Sequence, residues 1–455
     1  MKQQPPHYFL SLLCLCLTVF LPIQLAAQKV IPYTGEAGTD IFSDAGNWAD
    51  QIVPGPADTA LFSLPGDYEI TFKENTSIAM LRMQDGGEQS EPDKLILRLG
   101  GKKLALLAPA SEHSGEMAIT LSASVQAPRI LIFEGGSLEF CEFWQATHRG
   151  NFPTALIFDK GMSVECTGMG WTAVYGEAKT YLIGGSKWVS NGKGWAGVVG
   201  HTEGSNGLFE ISGPGSSFSA KTETDTPPLD VRIFYVSTKG NGILRILDGA
   251  SFACDVVNLG NGLKSIDTFS LVVVDGPGSV FSVDRLNVGG GSNNLPNPAE
   301  PTGNALFMVS NKAAAKVGAL KVFSHDGADG IPAFHGRVLI DGGTFEVGGE
   351  TPKPSAEFAP DSCLEFRLRG VPSEAPFRSE TELKIEGANL VVTLDPAFRA
   401  AVGDPVPLVS CQIVEGTFKD LPEGAAIKID AYSFSLSYAL EGANVIGLKV
   451  TGVNP

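Results

Sequence analysis

From about residue 130 the chain repeats one short pattern: alternating apolar residues, then a glycine, then a small residue beside a large apolar one. It reads RILIFEGGSLEF (129 to 140), ALIFDKGMSVEC (155 to 166), YLIGGSKWVS (181 to 190), LFEISGPGSSFS (208 to 219), LRILDGASFAC (244 to 254), LVVVDGPGSVFSV (271 to 283) and RVLIDGGTFEV (337 to 347), with ELKIEGANLVV (382 to 392) as a looser copy. The large apolar residues after the glycine are Leu138, Val164, Trp188, Phe218, Phe252, Phe281, Phe345 and Leu390, at intervals of 26, 24, 30, 34, 29, 64 and 45. The interval of 64 holds one degenerate copy, AAAKVGALKVF (313 to 323). Several copies share a preceding element, as in VVGHTEGSNG before Leu208 and YVSTKGNG before Ile243. Each period therefore predicts three short strands, of the form V-x-G, then L-x-I, then S-x-F, separated by glycine turns. No such unit buries its apolar row alone. Stacking successive units does, which is the logic of a parallel β-helix. Glycine serves where the chain turns a corner with positive φ. A two-sheet sandwich also has short strands and glycine-rich turns, but it does not predict one three-part unit recurring.

Composition agrees with this reading. With 54 Gly, 29 Pro and only 18% charged residues, the chain has many turns and too few Glu, Lys and Arg to solvate the exposed faces of many helices. The net charge of −17 opposes binding to nucleic acid or to anionic membrane surfaces. The repeats occupy 129 to 395. Residues 28 to 128 alternate without a clear repeat and are expected to cap one open end, and 396 to 455 read as antiparallel strands closing the other. Insertions at 221 to 230, 292 to 303 and 350 to 360 are expected at corners, where solenoids often build functional faces.

Residues 1 to 27 have the layout of a secretory signal peptide: Lys2, an apolar run from Phe9 to Ile23, and small residues at Ala26 and Ala27. The rival is a membrane anchor, but Pro22 and Gln24 interrupt the run short of the roughly 20 residues a spanning helix needs. No membrane insertion is expected after cleavage, and the location is expected to be extracellular, cell-surface or periplasmic. The mature chain keeps Cys141, Cys166, Cys254, Cys363 and Cys411, an odd and scattered set without a C-x-x-C pair. Most read as buried small hydrophobes. Cys141 and Cys166 are 25 residues apart and so are placed to pair across neighbouring coils.

Two further signatures are FSDAGNWADQIVPGPADTALF (42 to 62), where an N-W pair precedes V-P and D-x-A-x-F, and the repeat G-x-L-x-I-x-G-P-G-S-x-F. Together with the closing G-T-F, L-P-E-G and F-S-L-S-Y segments, they resemble the passenger regions of autotransporters and related exported bacterial β-helix proteins, including those with PEP-CTERM sorting tails. The likeness covers most of the mature chain through degenerate, structural motifs. It implies an all-β, right-handed parallel β-helix of the pectin-lyase-like solenoid type, commonly adhesive or at the cell surface, with no shared catalytic residues. Neither a translocator barrel nor a hydrophobic sorting tail follows in this sequence, so attached and released forms are both expectations.

The tryptophans are the most suggestive side chains. GMGWTAVYG (168 to 176) and GKGWAGVVG (192 to 200) share a G-x-G-W-x-x-V-x-G frame 24 residues apart, which predicts Trp171 stacked on Trp195, with Trp144 extending the row. Facing outward, these rings form a strip for sugar stacking with Tyr175, His148 and His201 as polar partners. Facing inward, they are core, the commoner use of such residues. Some polysaccharide lyases share this fold with calcium-holding acids and a Lys or Arg base. Here the acids are Asp326 and Asp329 in HDGADG, a pattern more typical of a solvated turn. Asp284 beside Arg285, Asp341 and Lys321 offer no spacing that singles out an acid-base pair. His113, His148, His201, His325 and His335 lack zinc-ligand spacing, and no G-x-S-x-G elbow or P-loop occurs. No cofactor is expected. The leading expectation is a non-enzymatic structural or adhesin-like solenoid with glycans or matrix components as partners, and the alternative is a carbohydrate-binding or lyase-like protein.

Overall fold

The computed structural model describes residues 29–84, 93–107, 118–123, 128–141, 143–147, 153–173, 176–192, 194–222, 231–260, 268–290, 304–325, 334–349, 355–442 and 444–453. The segment expected as a signal peptide, His113, His148, Tyr175, Asp326 and Asp329 lie outside them, as do the side chains of Trp144, Trp171 and His325.

Each repeat folds as three strands that pair with those of the next repeat. One coil consists of Arg129–Glu134, Ser137–Phe140 and Phe143–Thr147, and the next of Thr154–Asp159, Ser163–Cys166 and Gly170–Thr172. All three pairings are parallel and aligned. Strands taking the first position form one sheet of thirteen strands, of which twelve, from Asp67–Thr71 to Asn389–Leu394, make a continuous parallel ladder. The second and third positions build two further ladders. In the coils of Ser251–Leu259, Val280–Val288 and Ala314–Val322, these two positions merge into single nine-residue strands. The chain is a parallel β-helix.

The predicted marker residues stack. In the second sheet Leu138 pairs with Val164, Val164 with Trp188, Trp188 with Phe218, Phe218 with Phe252, and Phe252 with Phe281. The rings of Phe218 and Phe252 lie 5.1 Å apart at 12°, and those of Phe252 and Phe281 5.4 Å apart at 6°. The degenerate copy contributes Ala315 to this column, followed by Phe345 and then Phe377. Leu390, expected to mark the last copy, is instead in the first sheet opposite Leu364. The stretch 382 to 392 spans a third-sheet strand, Glu382–Glu386, and the first-sheet strand Asn389–Leu394, so its resemblance to the repeat is out of phase.

Corners need glycine for a steric reason that Gly184 illustrates. Its φ is +61°, and a Cβ there would lie 2.1 Å from Asp159 Oδ1 and 2.9 Å from the Lys160 amide nitrogen of the preceding coil. The stacked coil leaves no room for a side chain there, whereas the positive φ alone does not exclude one, since Lys160, in line with it on the preceding coil, holds φ +55°.

The helix begins nearer the N-terminus than the repeat pattern indicates. Asp67–Thr71, Asp93–Arg98 and Arg129–Glu134 pair in parallel, and so do Thr59–Phe62, Met80–Met83 and Ile119–Ala123. Much of the stretch expected as a cap is therefore coil, and its corner at Gly100–Gly101, with φ of +56° and +79°, carries the same G-G signature as Gly135–Gly136. The cap proper is the N-W segment. Phe42 N–H donates to Thr71 C=O and Thr71 N–H to Asp40 C=O, covering the open edge of the first strand. Trp48 is 2% exposed, packs edge-on to Tyr33, Phe42 and Phe62, and donates from Nε1 to Phe42 C=O at 2.7 Å. Asn47 donates to Thr39 C=O at 3.0 Å and Ile41 C=O at 3.1 Å, locking the loop that carries Phe42. At the other end, Pro405–Ser410, Tyr432–Ser437 and Val445–Val453 pair antiparallel over the last coil.

Candidate functional site

On the third sheet, Ala196, Val199, Phe234, Val236, Val257 and Leu259 join the core. The alternate positions of the pleat face away from it. There Val198, Ile233, Tyr235 and Val256, with half-buried Met169 against them, form a second apolar cluster separate from the core. Trp195 sits at its border, 36% exposed, with its ring 5.0 Å from that of Tyr235 at 60°. This is the region the tryptophan frame points to.

The expected Trp171–Trp195 stack does not form. Trp144 aligns with Trp171, as the row requires, but Trp171 aligns with Val198 and Trp195 with Ile233. The cause is the length of the corner: Cys166 pairs with Ser190 in the second sheet but Gly170 with Gly197 in the third, so the later coil carries three more residues between these points and Trp195 falls three positions before the partner of Trp171. Toward the following coil the ladder is irregular between Trp195 and Gly197, and at Gly197 a Cβ would lie 2.6 Å from the Phe234 ring, so only glycine fits there. A shared motif frame does not fix register when the corner before it differs in length.

Along the column that includes Trp171, the outward positions change character. Val198 is followed by Tyr235, Asn258, Asn287, Lys321, Glu357, Lys384 and Glu415. Asn287 Nδ2 donates to Asn258 Oδ1 at 2.7 Å, with both residues buried. Lys321 then pairs with Glu357 at 2.9 Å, and Lys384 with Glu415 at 3.4 Å. The face is apolar at one end and ionic at the other.

His201 lies at the corner after Trp195–Val199. Thr238 Oγ1 donates to His201 C=O at 2.9 Å and also contacts His201 Nδ1 at 2.9 Å. Because the hydroxyl has one proton and the carbonyl takes it, the ring must donate from Nδ1. Burial, with Lys239 nearby, lowers the His201 pKa from its ordinary value. The imidazole is thus held neutral at a corner, as a hydrogen-bonded structural group.

The remaining acids and bases named from sequence do not converge. Asp284 pairs with Lys221 at 2.5 Å, Lys321 with Glu357, and Asp341 with Arg369 at 3.0 Å, each in a different place. Among the described residues no group of three or more His, Cys, Asp or Glu is arranged to hold a metal ion. Cys141 and Cys166 are not joined by a disulfide. Cys166 is buried and its thiol lies 3.2 Å from Cys141 C=O, because the second-sheet register sets Cys166 against Phe140 rather than against Cys141.

One functional-looking device was not legible in the sequence. Asp255, 6% exposed, accepts from the Thr222 amide at 3.0 Å, the Thr222 hydroxyl and the Arg232 amide at 2.9 Å. It clips together both ends of the insertion between them. The acid lies mid-strand and 23 residues from Arg232, so only folding reveals the contact.

No protein-family model matches this chain, and neither a curated protein nor a solved structure is similar enough to it to count as a match.

Proposed function

We propose that the chain is an exported, non-enzymatic β-solenoid that works as a structural or adhesive component of the cell surface or extracellular matrix. The observation that carries this reading is the use of charge. On the outer face of the first sheet, Arg98 bridges Glu69 at 2.8 Å and Glu134 at 3.6 Å, and Lys160 reaches the same Glu134 at 2.7 Å. Arg245 with Glu210 and Arg337 with Glu365 continue the scheme, and the Lys–Glu rungs of the third sheet repeat it. Each of these pairs ties one coil to the next. Individually, exposed pairs contribute about 0.2–1 kcal/mol, but arranged along the axis they favour a single stacked register. Such a surface suits a protein whose product is a persistent shape.

The test has two parts. Cells producing the full chain are fractionated, and beads coated with the purified protein are scored for retention on extracellular matrix and on polysaccharide surfaces. Exported protein with bead retention and no released saccharide supports the proposal. Cytoplasmic retention of the chain, or turnover of a polysaccharide, overturns it.

A carbohydrate-binding reading rests on one observation, the half-open Trp195 indole set against Tyr235. It expects Trp195→Ala to lower retention on a polysaccharide while melting temperature is unchanged.

A further inference from the structure

The third sheet is one parallel ladder from Val30–Pro32 to Ile413–Thr417. Its two ends are finished differently. At the first strand Tyr33 N–H donates to Leu61 C=O, so alternation turns the Pro32 nitrogen, which carries no proton, to the open side. A proline there guards an edge against unwanted pairing. At the last strand Gln412 N–H donates to Thr381 C=O, so Ile413 and Glu415 turn their amides to the open side. This strand pairs with Glu382–Glu386, and no strand lies beyond it among the described residues. The antiparallel cap continues the second sheet through Pro405–Ser410 and leaves this edge uncovered. Ile413 is 59% exposed, and the side chain of Glu415 is 62% exposed.

A row of alternating charge runs out to that edge. Lys321, Glu357, Lys384 and Glu415 stand on consecutive strands, with Lys321 and Glu357 paired at 2.9 Å and Lys384 and Glu415 at 3.4 Å. Each member before Glu415 has the opposite charge on the strand that follows it. The next rung calls for a cation. On the inward side Val414 packs against the core yet stays only half buried. Because faces alternate, a strand added here sets one side chain outward opposite Glu415 and its two neighbours inward over Val414 and Gly416. The matching sequence is therefore a lysine or arginine with an apolar residue on each side. A second copy of this chain fits poorly. Two such edges joined antiparallel about a two-fold axis set the acids Glu382, Glu386 and Glu415 of one against those of the other. Asn389–Leu394 and Ala426–Ile429 also end sheets, but neither continues a row of charge pairs.

We propose that the Ile413–Thr417 edge takes up an extended segment of a partner protein as an added strand, with Glu415 selecting a lysine or arginine flanked by apolar residues. An edge that binds nothing would leave the structural reading of the solenoid standing.

The experiment is fluorescence anisotropy of labelled peptides titrated with the full chain. The probes are TVTVKVTVT, its glutamate counterpart TVTVEVTVT, the proline-blocked TVTPKPTVT and an oligolysine. The first is expected to bind, to weaken with salt, and to bind about tenfold tighter than the second. The blocked peptide and oligolysine, which lack the alternating strand, are expected not to bind. Glu415→Lys is expected to reverse the order, making TVTVEVTVT the tighter ligand by about tenfold. Glu139→Lys, the same charge change at an exposed pair of the second sheet, is expected to leave the order as it was. Ile413→Pro removes an outward amide and is expected to abolish binding. Should its melting temperature show that it does not fold, Glu415→Lys carries the decision. Any one of five results overturns the proposal: no binding of TVTVKVTVT at about 1 mM, equal binding of TVTVEVTVT, equal binding of oligolysine or the blocked peptide, an order that Glu415→Lys does not reverse, or sedimentation showing a dimer of the chain that Ile413→Pro dissociates.

Discussion

The interior column of the second sheet runs through Trp188, Phe218, Phe252 and Phe281, then drops to Ala315 before resuming at Phe345 and Phe377. The vacancy left by that methyl group is filled from the first sheet. The Phe307 ring lies 4.9 Å from Phe281 at 65° and 5.6 Å from Phe345 at 84°, and all three side chains are 0% exposed. The degenerate repeat and Phe307 are thus one packing solution. Phe307→Ala removes a fully buried ring whose neighbours belong to rigid ladders that cannot collapse inward, so the cost is set near the usual range of about 3–5 kcal/mol. Ala315→Phe alone overpacks the same space and costs about 1–3 kcal/mol. The double variant moves the ring from one sheet to the other. It is expected to be more stable than the sum of the single effects, by a coupling of about 1–3 kcal/mol. Urea unfolding followed by both tryptophan fluorescence and far-UV circular dichroism measures this, with coincident midpoints as the check that a single transition is being read. A Phe307→Ala cost below about 1 kcal/mol, or a double variant no better than the summed singles, refutes the reasoning.

Other expectations follow from single groups. Burial pushes the Cys254 thiol up to about 12, so a thiol reagent at neutral pH should label half-exposed Cys141 first and Cys254 only on unfolding, while intact mass shows no Cys141–Cys166 disulfide. His201 has a folded-state pKa below its unfolded value, so the unfolded chain binds the proton first as pH falls below about 6.5. Its contribution to stability is complete above that pH and is lost as pH falls through the lowered folded value; a His201→Gln variant with the same pH slope would contradict this. Asp255→Ala leaves two amides and a hydroxyl without their acceptor, which should cost about 1–3 kcal/mol and speed proteolysis between 222 and 232, whereas unchanged cleavage would show that the clip does not hold the insertion.

Local pattern carried much of the architecture. Period-two alternation, a corner glycine and a large apolar residue recur in one coil after another, and each of these is decided by residues adjacent in the chain. That is why Leu138 through Phe281 and Phe345 could be placed in one column and the copy at 313 to 323 recognised despite its alanine. The N-W motif was legible only as a family likeness, and its physical role, a lid over the first open strand, came with the fold. Where two coils must be aligned, adjacency is no guide. Three additional residues in the corner before Gly197 put Trp195 out of line with Trp171, and Leu390 proved to sit in another sheet, because register is set by the strand across the gap. The first coils carry the glycine pair only at Gly100–Gly101, so one copy of the pattern stands apart from the rest and only pairing joins it to them. The Asp255 clip and the Phe307 insertion both join residues from different coils or sheets. Their partners are chosen by stacking geometry, which exists only once the coils have closed on one another.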